Sequence, residues 1–164
     1  KSNFKVLLRP HFKILSESGE LINTIKEKFE NNPNFILEEG IIPSEKFHNS
    51  KCMISDWSGI SLEYAFTFER PVIFIDVPKK ILNFDSEKIS SEPIEISIRN
   101  VIGHVISPNN LEEISKIINN IDFDDSIKEQ IKKTRSKIVY NIGQSSKIGA
   151  NIIEEICNES KKPN

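Results

Sequence analysis

Apolar positions along this chain come in short runs, separated by longer stretches in which they recur every three or four residues. Phe4-Lys5-Val6-Leu7-Leu8 is a mostly apolar run closed by Pro10, the pattern of a buried strand that ends in a loop. A helix is expected next, capped by Ser16 or Ser18 and running to about Glu30. Leu21, Ile22, Ile25 and Phe29 share one face of it, and Asn31-Asn32-Pro33 stops it. Phe35-Ile36-Leu37 reads as a second strand, Pro43 to His48 as a helical turn, and Cys52-Met53-Ile54 as a third strand. A helix is expected from near Ser58 to about Phe68. Pro71-Val72-Ile73-Phe74-Ile75 is the fourth and clearest strand.

Residues 77–100 hold Pro78 and Pro93, lack a clear period, and read as a long loop with one short helix. Gly103 to Ile106 is a fifth strand. Ser107-Pro108-Asn109 then opens a helix with Leu111, Ile114, Ile117, Ile118 and Ile121 inward. Residues 124–140 and 145–157 supply two more helices, with Gly143 as the break and Ser145 or Ser146 as the cap. Short apolar strands alternating with helices mean parallel strands covered on both faces. The expected fold is therefore α/β, with a doubly wound parallel sheet in one domain over residues 1–159 and a disordered tail over 160–164.

Composition narrows the classes. A chain of 164 residues with 37% hydrophobic and 28% charged residues is an ordinary globular domain. A formal net charge of −2 excludes nucleic-acid binding driven by bulk positive charge. No apolar run approaches the roughly 20 residues of a membrane span. Residue 1 is Lys and a strand begins almost at once, so the chain is expected to be a fragment of something longer. Cys52 and Cys157 lie far apart, without a partner at metal-ligand spacing, so no zinc site is expected. Cys52 reads as a small core residue. Ile is abundant, at 29 residues, in strand and helix segments alike, so it says little about fold. The four arginines, at positions 9, 70, 99 and 135, are rare enough for each placement to carry information.

In an open parallel sheet, ligands bind at the carboxyl ends of the strands, where a helix often begins. Two polar clusters sit there. In Arg9-Pro10-His11 the proline stiffens the turn after the first strand, and a guanidinium fork with an imidazole suits a phosphate. The plainer reading makes Arg9 a surface ion pair and His11 a loop residue. In Ser55-Asp56-Trp57-Ser58-Gly59-Ile60-Ser61, small residues let backbone N–H groups approach a ligand, and the helix start adds unpaired donors and partial positive charge. The plainer reading makes Ser58 or Asp56 a helix cap. Glu63, one turn in, either accepts from sugar hydroxyls or is a favourable charge near the helix start. Trp57 either stacks on a ligand or packs, and Asp76 either faces the same crevice or caps a turn. His48 and His104 are read as structural. Gly-x-Gly-x-x-Gly, the Walker loop, Gly-x-Ser-x-Gly and His-Glu-x-x-His are all absent.

Three stretches together resemble a known family. They are Leu7-Leu8-Arg9-Pro10-His11, then Ile54-Ser55-Asp56-Trp57-Ser58-Gly59-Ile60-Ser61-Leu62-Glu63-Tyr64, then Arg70-Pro71-Val72-Ile73-Phe74. They resemble the C-terminal half of the CDP-glycerol glycerophosphotransferases, the teichoic-acid and capsule polymerases. Asn141-Ile142-Gly143-Gln144-Ser145-Ser146 is similar to that family's closing segment. Trp57 stands where the family has Tyr, and Gly59 where it has a second Ser. The resemblance implies a GT-B architecture, two Rossmann-like domains with the active site between them, of which this chain would be the donor-binding half. It implies His11 at the donor phosphates as the catalytic group, with Arg9 supporting its turn. Ser55, Asp56, Ser58, Gly59, Ile60 and Ser61 would cradle the pyrophosphate, with Glu63 toward the donor. It implies CDP-glycerol or a related activated donor, a polymer acceptor, and the missing N-terminal domain as partner. No metal-ligand cluster is visible in the sequence, so a metal-independent site without a cofactor is expected. The family works at the cytoplasmic face of the membrane. The family's His-Gly-Thr base has no counterpart here, so the fragment is expected to be inactive alone. Two other classes stay open. One is a GT-B nucleotide-sugar glycosyltransferase or epimerase domain, and the other a non-catalytic α/β module.

Overall fold

The computed structural model describes residues 4–40, 44–79, 88, 92–121 and 125–160. The chain forms two compact units, Lys1–Ser50 and Lys51–Asn164. Both are mixed α/β with short parallel sheets.

The first unit begins with β1 (Val6–Leu8), α1 (Phe12–Glu17) and α2 (Gly19–Phe29), and continues with β2 (Phe35–Leu37) and α3 (Ser44–His48). β1 and β2 pair in parallel, with Val6 opposite Phe35 and Leu8 opposite Leu37. The single helix expected up to Glu30 is two helices, broken at Ser18, whose φ of −132° and ψ of 47° are not helical. Ser18-Gly19 explains the break, because serine competes with the helix through its own hydrogen bonds and glycine resists helical order. Ser18 occupies the cap position of α2 but makes no side-chain cap bond. Ile22 is the buried hydrophobic anchor of this unit among the described residues, and Phe29 stacks on Phe35 with ring centroids 4.5 Å apart. The first strand is not buried as the sequence predicts. Val6 is 52% exposed and Ile36 41%. A two-stranded sheet offers too little surface for helices to cover both of its faces.

The second unit holds β3 (Met53–Ser55), α4 (Ile60–Phe68) and β4 (Val72–Ile75). Two short helices follow, α5 (Ile94–Ser97) and α6 (Arg99–Ile102), then β5 (Gly103–Ile106) and a 3-10 turn at Pro108–Asn110. α7 (Glu113–Asn120), α8 (Asp125–Ile138) and α9 (Ser145–Glu159) complete it. The sheet order is β3-β4-β5, all parallel, with Ile54 opposite Ile73 and Ile73 opposite His104. Ser107 accepts from the Asn109 backbone N–H as the cap of the 3-10 turn. Residues 80–87 and 89–91 of the expected long loop lie outside the described residues. Past them the sequence forms two helices rather than one, divided at Ile98 (φ −99°, ψ −4°), and Ile98 and Ile102 are buried. Ser160 follows α9 as its cap, and residues 161–164 of the expected tail lie outside the described residues.

β4 is the centre of the core. Val72, Ile73 and Phe74 are buried, together with Tyr64 and Ala65 of α4, Ile102 of α6 and Ile131 of α8. Such a strand is apolar along its whole length because both faces are covered. β3, at the sheet edge, keeps Ile54 at 47% exposed, so two-sided cover holds for β4 and fails for β3. α8 packs on α4 and α6. Arg135 of α8 donates to the Phe66 carbonyl at 2.5 Å and to Glu69 at 2.8 Å. Glu69 ends α4 in the left-handed region, at φ 53°, and its ion pair with Arg135 holds that ending in place.

Cys52, just before β3, is half-buried at the sheet edge rather than the small core residue that the sequence predicts. Burial pushes its thiol up from 9.0 to about 11, against a weaker pull from Lys51. The folded chain therefore keeps this proton at a pH where the unfolded chain has lost it. Its contribution is complete below pH 9.0 and disappears as pH rises toward about 11. Urea titrations across that window should show stability falling by at most about 1.4 kcal/mol per pH unit from this group. Cys52→Ala should flatten the slope relative to wild type; an unchanged slope would assign it to other groups.

Candidate functional site

The carboxyl end of β3 turns directly into α4 through Asp56, Trp57, Ser58 and Gly59. The Ser58 carbonyl accepts the Ser61 N–H at 3.1 Å and the Ser61 hydroxyl at 2.6 Å. The Gly59 carbonyl accepts Leu62 N–H at 3.1 Å. The N–H groups of Ser58, Gly59 and Ile60 have no acceptor among the described residues. These are orphan donors of a helix start, where the backbone dipoles also leave partial positive charge. Gly59 is helical (φ −59°, ψ −28°), and a Cβ built on it would meet nothing within 4 Å. A side chain at Gly59 would therefore enter open space among the described residues.

Ser55 and Ser58 are half-buried, and Asp56 and Glu63 are exposed. Ser61 differs from the others. It is buried at 1% exposed, and both its N–H and its hydroxyl donate into the first turn of its own helix. Its place in the expected phosphate cradle is that of a residue that shapes the turn. Ile60 contributes its N–H rather than its side chain.

Trp57 is anchored from three sides. Its indole N–H donates to the Val77 carbonyl at 2.7 Å. The Arg99 guanidinium carbon lies 3.9 Å from the ring centroid, and Lys79 Nζ lies 5.7 Å from it. Arg99 is buried, at 5% exposed. It donates to Asp76 Oδ1 at 2.8 Å and to the Ile75 carbonyl at 3.4 Å, and it lies 5.0 Å from the Phe74 ring. Its Nε is buried without a hydrogen-bond partner. An unmatched buried donor costs about 1–3 kcal/mol, and an apolar side chain of similar length would fill the same volume without that cost. Asp76 is thus engaged by Arg99 and remains half exposed. Arg99 and Lys79 bring two cations to Trp57, while Asp76 offsets one of them.

The sequence reading assigns no role to Arg99 or Lys79. A signal was present for the first, since Arg99 is a lone charge in the isoleucine-rich run Ile96-Ser97-Ile98-Arg99-Asn100-Val101-Ile102.

Arg9 and His11 belong to the first unit, and the residues from Ser55 to Glu63 to the second. Arg9 is exposed and pairs with no carboxylate among the described residues. His11 caps α1, with Nδ1 accepting the Lys13 N–H at 3.3 Å. Its ring lies 4.3 Å from that of Phe12. Because Nδ1 accepts, the neutral ring carries its proton on Nε2, which is left as an outward donor. His104 is half-buried beside a cavity of about 190 Å³, lined also by Lys116 and Asn120 near the start of β4. His48 ends α3 and is exposed. The segment from Asn141 to Ser146 is exposed and covers the end of the connection from α8 and the first two residues of α9, where the Ser145 hydroxyl donates to the Tyr140 and Asn141 carbonyls. Among the described residues, no helix is long and apolar enough to cross a membrane, and no three His, Cys, Asp or Glu side chains gather to hold a metal ion. Comparison with protein-family models, curated proteins and solved structures finds no match to this chain.

Proposed function

We propose that this chain is the donor-binding half of a glycerophosphotransferase of the CDP-glycerol type, a Rossmann-like, doubly wound domain of GT-B architecture. The observation that carries the reading is the set of three unpaired N–H donors at the start of α4, set in the Ser55 to Ser61 stretch that resembles that family. Directed N–H donors and the helix dipole suit a diphosphate, and Lys79 beside Trp57 adds a cation.

In the reaction so assigned, an acceptor hydroxyl of a growing cell-surface polymer attacks the β-phosphorus of CDP-glycerol. A new oxygen–phosphorus bond forms as the bond to the bridging oxygen breaks. CMP leaves with the electron pair. Charge grows on the leaving phosphate, where preorganised donors stabilise it most. The backbone N–H groups of Ser58, Gly59 and Ile60 fill that role, and the family resemblance alone assigns His11 to the donor phosphates. Arg9 would support the His11 turn. The general base would come from the other half of the enzyme, at the cytoplasmic face of the membrane, so this chain would bind donor without turning it over.

Calorimetric titration of CDP-glycerol tests the reading. Wild type should bind, and His11→Ala should bind about tenfold more weakly, the loss of one charge-assisted hydrogen bond. Equal affinity in both would remove His11 from the site. Tighter binding of a UDP-sugar would move the chain to the glycosyltransferase or epimerase class. No binding of any nucleotide would make it a non-catalytic α/β module.

A further inference from the structure

Arg99 is the most unusual side chain of the second unit, a buried guanidinium with an unmatched Nε. Its contacts share a direction. One nitrogen holds Asp76 and another reaches the Ile75 carbonyl, so the head is fixed to the carboxyl end of β4. Its guanidinium carbon then sits 3.9 Å from the ring centroid of Trp57, in the loop between β3 and α4. Trp57 closes the circuit by donating to the Val77 carbonyl, just past β4. The loop that presents the free N–H groups of α4 is therefore tied to the neighbouring strand by one cation over the indole ring and one indole hydrogen bond. A planar guanidinium can stack and hold a carboxylate at once, whereas an ammonium cannot.

We propose that Arg99 is a positioning residue for this anion site: through Trp57 it fixes the loop that carries the Ser58, Gly59 and Ile60 donors. Arg99 is not given a contact with the ligand, and the proposal rests on the donor-site reading above. It assigns function to a residue far from the motif, 23 positions beyond Asp76. It also gives a role to an arginine that is buried at 5% exposed. Preorganised donors bind and stabilise charge better than donors that must be ordered on binding.

Trp57 is the one tryptophan of the chain, so its emission reports on this loop alone. The experiment compares wild type, Arg99→Met and Arg99→Lys, with cooperative unfolding checked for each. Acrylamide quenching of Trp57 is measured without ligand, and inorganic pyrophosphate is titrated by calorimetry. Arg99→Met fills the volume without charge or plane, while Arg99→Lys restores charge alone. Both should leave Trp57 several-fold more quenchable and weaken pyrophosphate by about tenfold. If Arg99→Met fails to fold, Arg99→Lys decides by the same readouts. Wild-type quenching in a folded variant would overturn the proposal, as would raised quenching with unchanged pyrophosphate affinity. A wild-type chain that binds neither pyrophosphate nor CDP-glycerol would overturn the donor-site reading itself, and the role of Arg99 toward an anion with it.

Discussion

Replacing Gly103 by alanine is expected to disrupt the central sheet. Gly103 opens β5 opposite Val72 of β4. Its φ of 177° is extended backbone that any residue adopts, so conformational freedom is not why glycine is there. The reason is space. A Cβ at this position would stand 1.8 Å from the Val72 carbonyl oxygen and 2.7 Å from its carbon. Neither atom can yield, because both belong to the backbone of the buried central strand. Where the backbone suits both residues, glycine to alanine stabilises by about 0.4–1 kcal/mol through the unfolded state. Here the sign reverses. Separating β5 from β4 loses hydrogen bonds and packing, and overpacking alone typically costs about 1–3 kcal/mol. The total should reach at least about 3 kcal/mol, a large share of a domain's usual stability of roughly 5–15 kcal/mol. Urea unfolding followed by circular dichroism would read this as a lower midpoint. A midpoint within error of wild type would mean that β5 is free to move.

A carboxylate at Gly59 should move stability and binding in opposite directions. The position faces open space at the start of α4. In Gly59→Asp the negative charge meets the positive end of the helix, worth about 0.3–1 kcal/mol of added stability. The same charge occupies the place assigned to a phosphate. At 4 Å and an effective dielectric of 20, repulsion between two unit charges is about 4 kcal/mol. Affinity for CDP-glycerol or pyrophosphate should therefore fall on the order of a hundredfold or more. Gly59→Asn has nearly the same shape without the charge and should lose far less. Calorimetry on the pair separates charge from bulk. Equal affinities for the Asp and Asn variants would show that no anion approaches this helix start.

The strands and helices of the second unit were largely legible in the sequence, because β4 needs an unbroken apolar run and the helices need a recurring face. β3, β4 and β5 lie where the runs at Met53, Val72 and Gly103 predict them. What was not legible depends on contacts between distant residues. Arg99 lies in a stretch without an obvious period, and its partners, Trp57 and Asp76, are 42 and 23 positions earlier. No spacing rule joins them. The break at Ser18 turns on a local contest between helix and side-chain bonding that periodicity does not register. Ser61 shows the converse error. A hydroxyl in a polar loop motif reads as a ligand donor, yet it points into its own helix turn and is buried there.

The connections between the parallel strands also bear on the order in which the second unit is assembled. β3 and β4 are joined by the 16 residues from 56 to 71, and β4 and β5 by the 27 residues from 76 to 102. Loop-closure entropy grows with the logarithm of length, so the second closure costs about 0.5 kcal/mol more. The difference is small, but it favours pairing of β3 with β4 first. Trp57 and Asp76 come with that pair, whereas Arg99 lies in the longer crossover and arrives only with β5. A nascent or partly unfolded chain would then hold the sheet centre and the α4 start before the guanidinium that pins them. The stretch most resembling a ligand site is the part of this unit whose final geometry depends on the last strand to dock.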